Sequence, residues 1–187
     1  MTDTTAANYD LVVFGATSFV GQILARYLLE NYGADKEVKW AIAGRSEGKL
    51  NQLKSDLGAG AASLPVILAD AADEPALRDL CGQTRVVIST VGPYALFGET
   101  LVKVCAETGT DYCDLTGEVQ WIRRMIERYE AKAKESGARI VHCCGFDSIP
   151  SDMGVWFLQQ QSEATFGKPC QDVRMRVKVA KGGLSGG

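Results

Sequence analysis

Val12-Val13-Phe14-Gly15-Ala16-Thr17-Ser18-Phe19-Val20-Gly21 decides the fold. The four apolar residues Leu11 to Phe14 run straight into a glycine turn. An unbroken apolar run of this kind suits a parallel strand covered on both faces. Beyond the turn, Phe19, Ile23, Leu24, Tyr27 and Leu28 recur at helical spacing and are expected on the inward face of a helix. Gly15 can take backbone angles closed to other residues, and Gly21 lets the helix pack tightly on the strand. The helix N-terminus, with Thr17, Ser18, Phe19 and Val20 around it, offers unpaired N–H groups and a partial positive charge to a pyrophosphate. The spacing is G-x-x-x-x-x-G, with Ser18 at a middle position where a third glycine is common. Ser18 can cap the helix, and its hydroxyl can also donate to a phosphate. The alternative is an ordinary strand–turn–helix whose glycines serve packing alone.

Outward from this stretch, strand and helix patterns alternate, as they do in a parallel α/β sheet. Strands are expected at Val38 to Ala43, Leu64 to Leu68, Val86 to Ser89, Asp111 to Cys113 and Arg139 to Cys143. Helices are expected after Ser46, over Glu74 to Cys81, over Glu99 to Thr108 and over Val119 to Ser136. With the first strand this makes six, and the fold class is α/β: a doubly wound parallel sheet of the NAD(P)-binding Rossmann kind, spanning residues 1–150. Residues 151–187 read differently. A helix over Met153 to Gln160 precedes Val173 to Val179, where apolar and charged residues alternate as in a half-exposed strand with Val173, Met175, Val177 and Val179 inward. This segment is expected to begin a second, incomplete α+β domain. The alternative is a strand added to the first sheet, with Lys181 to Gly187 as a frayed end.

Composition narrows the function classes. The 187 residues are 46% hydrophobic with a formal net charge of −3, which suits a globular protein and supplies no basic stripe for nucleic acid. No apolar run approaches the roughly 20 residues that span a bilayer, and Met1 to Asn8 lacks the features of a secretory signal. A cytoplasmic location with reduced thiols is therefore expected. The six cysteines form no C-x-x-C pair, and His142 is the single histidine, so no metal site is expected. Cys143 and Cys144 read as buried structural cysteines at a strand end, with a redox-active pair as the alternative.

The end of the second strand speaks to the cofactor. An NAD site usually places Asp or Glu there to hold the ribose 2′-hydroxyl. This chain has Ala43-Gly44-Arg45-Ser46, with Lys49 a helical turn on. A guanidinium matches phosphate geometry, so NADP(H) is expected over NAD(H). Asp70 follows the third strand, where it could meet an adenine ring or cap the next helix. Thr90, Val91, Gly92 and Pro93 follow the fourth strand beside the topological switch point, where the nicotinamide half is expected. Tyr94, Asp114, Glu118, Asp147 and Ser148 each fall at or after a strand's C-terminal end and are candidates to line a reaction site. Tyr94, Asp147 and Ser148 are the catalytic candidates, although Asp147 and Ser148 also suit a turn before a helix.

The Gly15-to-Gly21 loop with Gly44-Arg45-Ser46, the Val91-Gly92-Pro93-Tyr94 turn with Gly98, Asp114-Leu115-Thr116-Gly117-Glu118, and Cys144-Gly145-Phe146-Asp147-Ser148-Ile149-Pro150-Ser151-Asp152 together resemble the saccharopine dehydrogenase-like oxidoreductases. The similarity covers nearly the whole chain but only the N-terminal half of a family member, and it leans toward the branch that includes the trans-acting enoyl reductases. It implies a Rossmann domain followed by a substrate and dimerisation domain, with NAD(P) between them. It also implies hydride transfer to or from a C=C, C=N or C=O group of a small-molecule or lipid-like substrate, and a homodimer formed through the C-terminal half. The rival reading is a scaffold or redox sensor that binds NADP(H) without turnover.

Overall fold

The structure, a computed structural model, describes residues 7–34, 36–179 and 181. Its centre is a six-stranded sheet in the order β3-β2-β1-β4-β5-β6, every neighbouring pair parallel. The strands are β1 (Tyr9–Phe14), β2 (Trp40–Gly44), β3 (Val66–Leu68), β4 (Thr84–Ser89), β5 (Asp111–Asp114) and β6 (Ile140–Val141). Their order reverses between β1 and β4, the doubly wound arrangement that opens a crevice at the strands' C-terminal ends.

Alternation along the strands makes two cores. Val13 and Ile42 face α1 (Phe19–Tyr32) and α2 (Glu47–Leu57), through Ala25, Leu28, Leu50 and Leu53. Val12, Phe14, Ala41 and Val87 face the opposite layer, α3 (Glu74–Cys81), α5 (Glu99–Thr108) and α6 (Val119–Ser136). The helix ends carry ordinary signals. Ser46 caps α2 and Asp73 caps α3, with Pro75 in its first turn. Left-handed Gly109 and Gly137 close α5 and α6.

Several expectations need correction. Phe19, Ile23 and Tyr27 face solvent, each more than half exposed, while Gly21, Ala25 and Leu28 form the buried stripe of α1. Small residues draw the helix close to the sheet, and their weak hydrophobic signal is masked by the larger residues one step away. β2 and β3 begin two residues later than their apolar runs, and β6 shortens to two residues. A short helix, α4 (Tyr94–Phe97), lies where only a turn was expected, and α7 (Ile149–Phe166) is longer than the pattern suggested.

Val173 to Val179 form no strand, and Met175, Val177 and Val179 are exposed. A strand exists only by pairing, and no described segment lies alongside to complete a ladder. The tail instead folds back on α7, where Gln159 exchanges side-chain hydrogen bonds with the Cys170 backbone and Ser162 Oγ donates to Lys168 O. The glycine run ending the chain lies outside the described residues. Cys143 is only half-buried and Cys144 is exposed, so neither is the buried structural cysteine expected. No helix among the described residues is long and apolar enough to cross a membrane.

One ion pair ties the start of β5 to the approach to β6. Asp111 accepts from the Arg139 backbone N–H at 2.8 Å and from its Nε at 2.9 Å. The guanidinium beside it holds the Asp111 carboxyl below the usual range. A depressed folded value contributes stability that is full above the unfolded carboxyl value of about 3.9 and is lost as pH falls through the lower folded value. Asp111→Asn is therefore expected to be less stable than the parent at pH 7 and equal to it in strong acid. Urea midpoints at the two pH values check this, and an unchanged gap would contradict it.

Candidate functional site: two joined clefts at the strand ends

A cavity of about 310 Å³ lies over the C-terminal ends of β1, β2 and β3, between the Gly15–Ser18 turn, Arg45 and Asp70. Gly15 is left-handed (φ +83°), and a Cβ there would sit 2.6 Å from Val91 Cγ2. A Cβ on Gly21 would meet Gly15 O at 2.4 Å and Ala16 Cα at 2.8 Å, both backbone atoms that cannot swing away. Protein packing alone thus requires both glycines. Gly21→Ala is expected to cost about 1–3 kcal/mol through overpacking. A shift in thermal midpoint reports it, and a neutral outcome would mean that the loop is looser than its geometry.

The evidence for a ligand lies in the polar groups. Ser18 caps α1, accepting from Gly21 N at 3.0 Å, and its own proton goes to Thr90 Oγ1 at 3.0 Å. Thr90 Oγ1 in turn donates to Gly15 O at 2.9 Å. The Ser18 hydroxyl therefore caps α1, as one of its two expected roles had it, and ties the turn to the residue after β4 while still lining the cavity. The Phe19 and Val20 N–H groups at the helix tip have no acceptor among the described residues, which suits an anion. Phe19 itself points to solvent, and Val20 lines a neighbouring cleft; their backbones, not their side chains, face a phosphate.

Arg45 is exposed at the end of β2 and lines the cavity. It has no ion-pair partner among the described residues. Ser46 is committed to the α2 cap, accepting from Lys49 N at 3.4 Å, and Lys49 stands outside the cavity wall. Asp70 accepts from Ala72 N at 2.9 Å and lines the cavity, whereas Asp73 caps α3. That removes the capping alternative for Asp70. A dinucleotide carrying a 2′-phosphate fits these groups: amides for its pyrophosphate, a guanidinium for the extra phosphate, and a carboxylate for its base.

A second cleft, about 680 Å³, opens on the β5–β6 side. Thr90 and Gly92 border both clefts, so the two join at the reversal point of the sheet. Pro93 and Tyr94 form its wall. Tyr94 is buried, its hydroxyl donating to Ser89 O at 3.0 Å and accepting from Leu115 N at 3.4 Å, and burial pushes its ionisation well up. Glu118 caps α4, one carboxylate oxygen taking Tyr94 N at 2.7 Å and the other Ala95 N at 2.8 Å. Asp114 is fully enclosed: Oδ1 accepts from Thr116 N and Cys143 N at 3.1 Å each, and Oδ2 from Tyr112 Oη at 2.9 Å with His142 Nδ1 at 2.7 Å. Asp147 is exposed and borders the cleft, while Ser148 precedes α7 without a side-chain cap bond and lies outside the cleft wall.

The structure thus gathers Gly15, Thr17, Ser18, Arg45, Asp70, Thr90, Val91 and Gly92 around one cavity and places Tyr94, Asp114, Glu118 and Asp147 around the other. The sequence reading missed the Tyr112–Asp114–His142 network. Part of it was legible, because residues two apart on a strand share a face. The partner His142 depends on register, set by Cys113 pairing with Val141.

Comparison with known proteins agrees with this geometry. The chain is 41% identical over 180 residues to a protein named trans-acting enoyl reductase from Mycobacterium tuberculosis, covering 96% of this chain and 42% of that one. It is 42% identical over 158 residues to a protein named lipid droplet localized protein from Caenorhabditis elegans, covering 82% of this chain and 37% of that one. The chain therefore spans less than half the length of the curated relatives it matches. The solved saccharopine dehydrogenase (L-Glu forming) of Saccharomyces cerevisiae shares the fold, with a TM-score of 0.62 at 21% identity, covering 83% of this chain and 31% of that one. The family model described as saccharopine dehydrogenase NADP binding domain matches residues 11–141, and the chain belongs to that family.

Proposed function

We propose that the protein is an NADP(H)-dependent oxidoreductase, selecting NADP(H) over NAD(H) and transferring hydride to or from a C=C, C=N or C=O group of a small-molecule or lipid-like substrate. The observation that carries the reading is Arg45, free of any described carboxylate at the β2 end and facing a cavity with unpaired helix-tip amides. The relatives' names favour a C=C bond among the three. The Phe19 and Val20 amides would hold the pyrophosphate, Arg45 the 2′-phosphate and Asp70 the adenine. Thr90, Val91, Gly92 and Pro93 would flank the nicotinamide at the junction of the clefts. When bound, the cofactor supplies the hydride; the chain's own groups orient it and shape the second cleft.

We read residues 1–150 as the cofactor domain and 151–187 as the beginning of a substrate and dimerisation domain. In support, the first half of α7 carries apolar residues around its circumference, with Met153, Val155, Trp156, Phe157 and Leu158 all exposed. A helix apolar on all sides belongs in an interior.

A second reading, cofactor binding without turnover, has its own support. The polar atoms of Tyr94, Asp114 and Glu118 are all engaged by the protein, which leaves Asp147 at the second cleft as the uncommitted acid among the catalytic candidates. The test is NADPH oxidation by the whole protein against enoyl thioester, imine and ketone probes. Turnover of one class supports the oxidoreductase. Tight NADPH binding with no turnover of any class supports the scaffold.

A further inference from the structure

Two cysteines, one on β5 and one in the loop after β6, line the wall of the second cleft, and nothing in cofactor binding requires them. Cys113 is half-buried on β5, and Cys144 is exposed just after β6. The Cys144 N–H donates to Asp114 O at 2.7 Å, which places its backbone beside the residue following Cys113. Cys144 Sγ donates to Val141 O at 3.5 Å, and Val141 is the residue that Cys113 faces across the ladder, so both thiols sit at one place in the cleft wall. Cys143, left-handed with φ 63°, is absent from that wall. The segments that carry the pair are held close. Cys143 N bonds Asp114 Oδ1, and a Cβ on Gly145 would lie 2.8 Å from Leu115 Cβ. A disulfide needs Cα atoms about 4.4–6.8 Å apart with side chains turned together, and the bond from Cys144 N to Asp114 O brings the Cys144 main chain to the end of the strand that carries Cys113.

We propose that Cys113 and Cys144 are a redox modification site, forming a reversible disulfide across the second cleft with a hydroperoxide as oxidant. The Cys144 thiolate attacks the hydroperoxide, the O–O bond breaks, and an alcohol (water, from hydrogen peroxide) departs, leaving a sulfenic acid. The Cys113 sulfur then attacks Cys144 Sγ, the S–O bond breaks, and water leaves as the S–S bond forms. Two thiols lose two electrons and two protons, and the hydroperoxide is reduced by the same two electrons. Burial holds both thiols above their ordinary range, Cys113 at about 12, so thiolate is scarce and oxidation is slow. The bond pins the loop after β5 to the loop after β6 and stiffens the cleft mouth.

The test treats the protein with hydrogen peroxide, alkylates free thiols and maps cross-linked peptides by mass spectrometry. The expected result is a Cys113–Cys144 peptide that disappears on adding dithiothreitol. It is absent in Cys144→Ser and in Cys113→Ala and retained in Cys143→Ser. A Cys143–Cys144 link, or Cys144 oxidised while Cys113 is alkylated, would overturn the proposal. Its effect on turnover rests on the oxidoreductase reading: NADPH affinity in the first cleft stays unchanged while turnover falls roughly a hundredfold from misplacement of the substrate. A cross-link in a protein that never turns over would sink that reading and leave the thiol site standing.

Discussion

Asp114→Ala is expected to lower the free energy of unfolding by about 3–5 kcal/mol, because it takes a buried carboxyl from three donors and from its His142 partner at once. Thr116 N, Cys143 N and Tyr112 Oη would lose their acceptor, and His142 Nδ1 its partner, where Tyr112, Asp114 and Thr116 are buried. Each unsatisfied buried donor costs about 1–3 kcal/mol, and the losses overlap since one carboxylate serves all four. Against a total stability of about 5–15 kcal/mol this is a large fraction. Asp114→Asn keeps the shape and the Oδ1 acceptor for the two backbone groups, and its amide can donate to Tyr112 and to a re-tautomerised His142. It should cost about 1–2 kcal/mol. Urea unfolding of both variants separates the cases. An alanine variant within about 1 kcal/mol of the parent would show that the network does not hold β5 and β6 together.

Arg45→Ala is expected to weaken NADPH binding while leaving NADH almost unchanged. Hydrogen bonds to a charged group contribute about 1.5–3 kcal/mol, so the loss in Kd is roughly ten- to a hundred-and-fifty-fold. The effect should be confined to the phosphate-bearing cofactor because the helix-tip amides and Asp70 are untouched. Arg45→Lys should recover part of it: an ammonium keeps the charge and loses the planar fork. Equal weakening toward both cofactors would mean that Arg45 supports the loop and does not read the 2′-phosphate.

The sheet was legible in the sequence because β1, β2 and β3 are short apolar runs and the later half of β4 is another, the mark that parallel strands leave, whereas β5 is Asp-Tyr-Cys-Asp and reads as a strand from its place in the alternation. The ends of α5 and α6 were legible because Gly109 and Gly137 punctuate them, and α5 also opens on the acidic Glu99. The inward face of α1 was misread because Gly21 and Ala25, which set the helix–sheet distance, weigh little beside Phe19 and Ile23. Val173 to Val179 alternates correctly, yet alternation alone cannot supply a neighbouring strand.

The cofactor side of the site followed from local rules, since Gly15, Ser18 and Arg45 act within a few residues of their own strand ends. Glu118 and Asp114 were found as cleft residues, but their work is long-range. One caps a helix 24 residues away, and the other gathers groups from β5 and β6. No spacing in the chain announces such contacts; they appear only when register brings the strands together.

The most direct measurement is calorimetric titration of the chain with NADPH and NADH side by side. The cleft described predicts that NADPH binds roughly ten- to a hundred-and-fifty-fold more tightly, with the preference abolished in Arg45→Ala. Equal affinity for the two cofactors, or binding of neither, would contradict it.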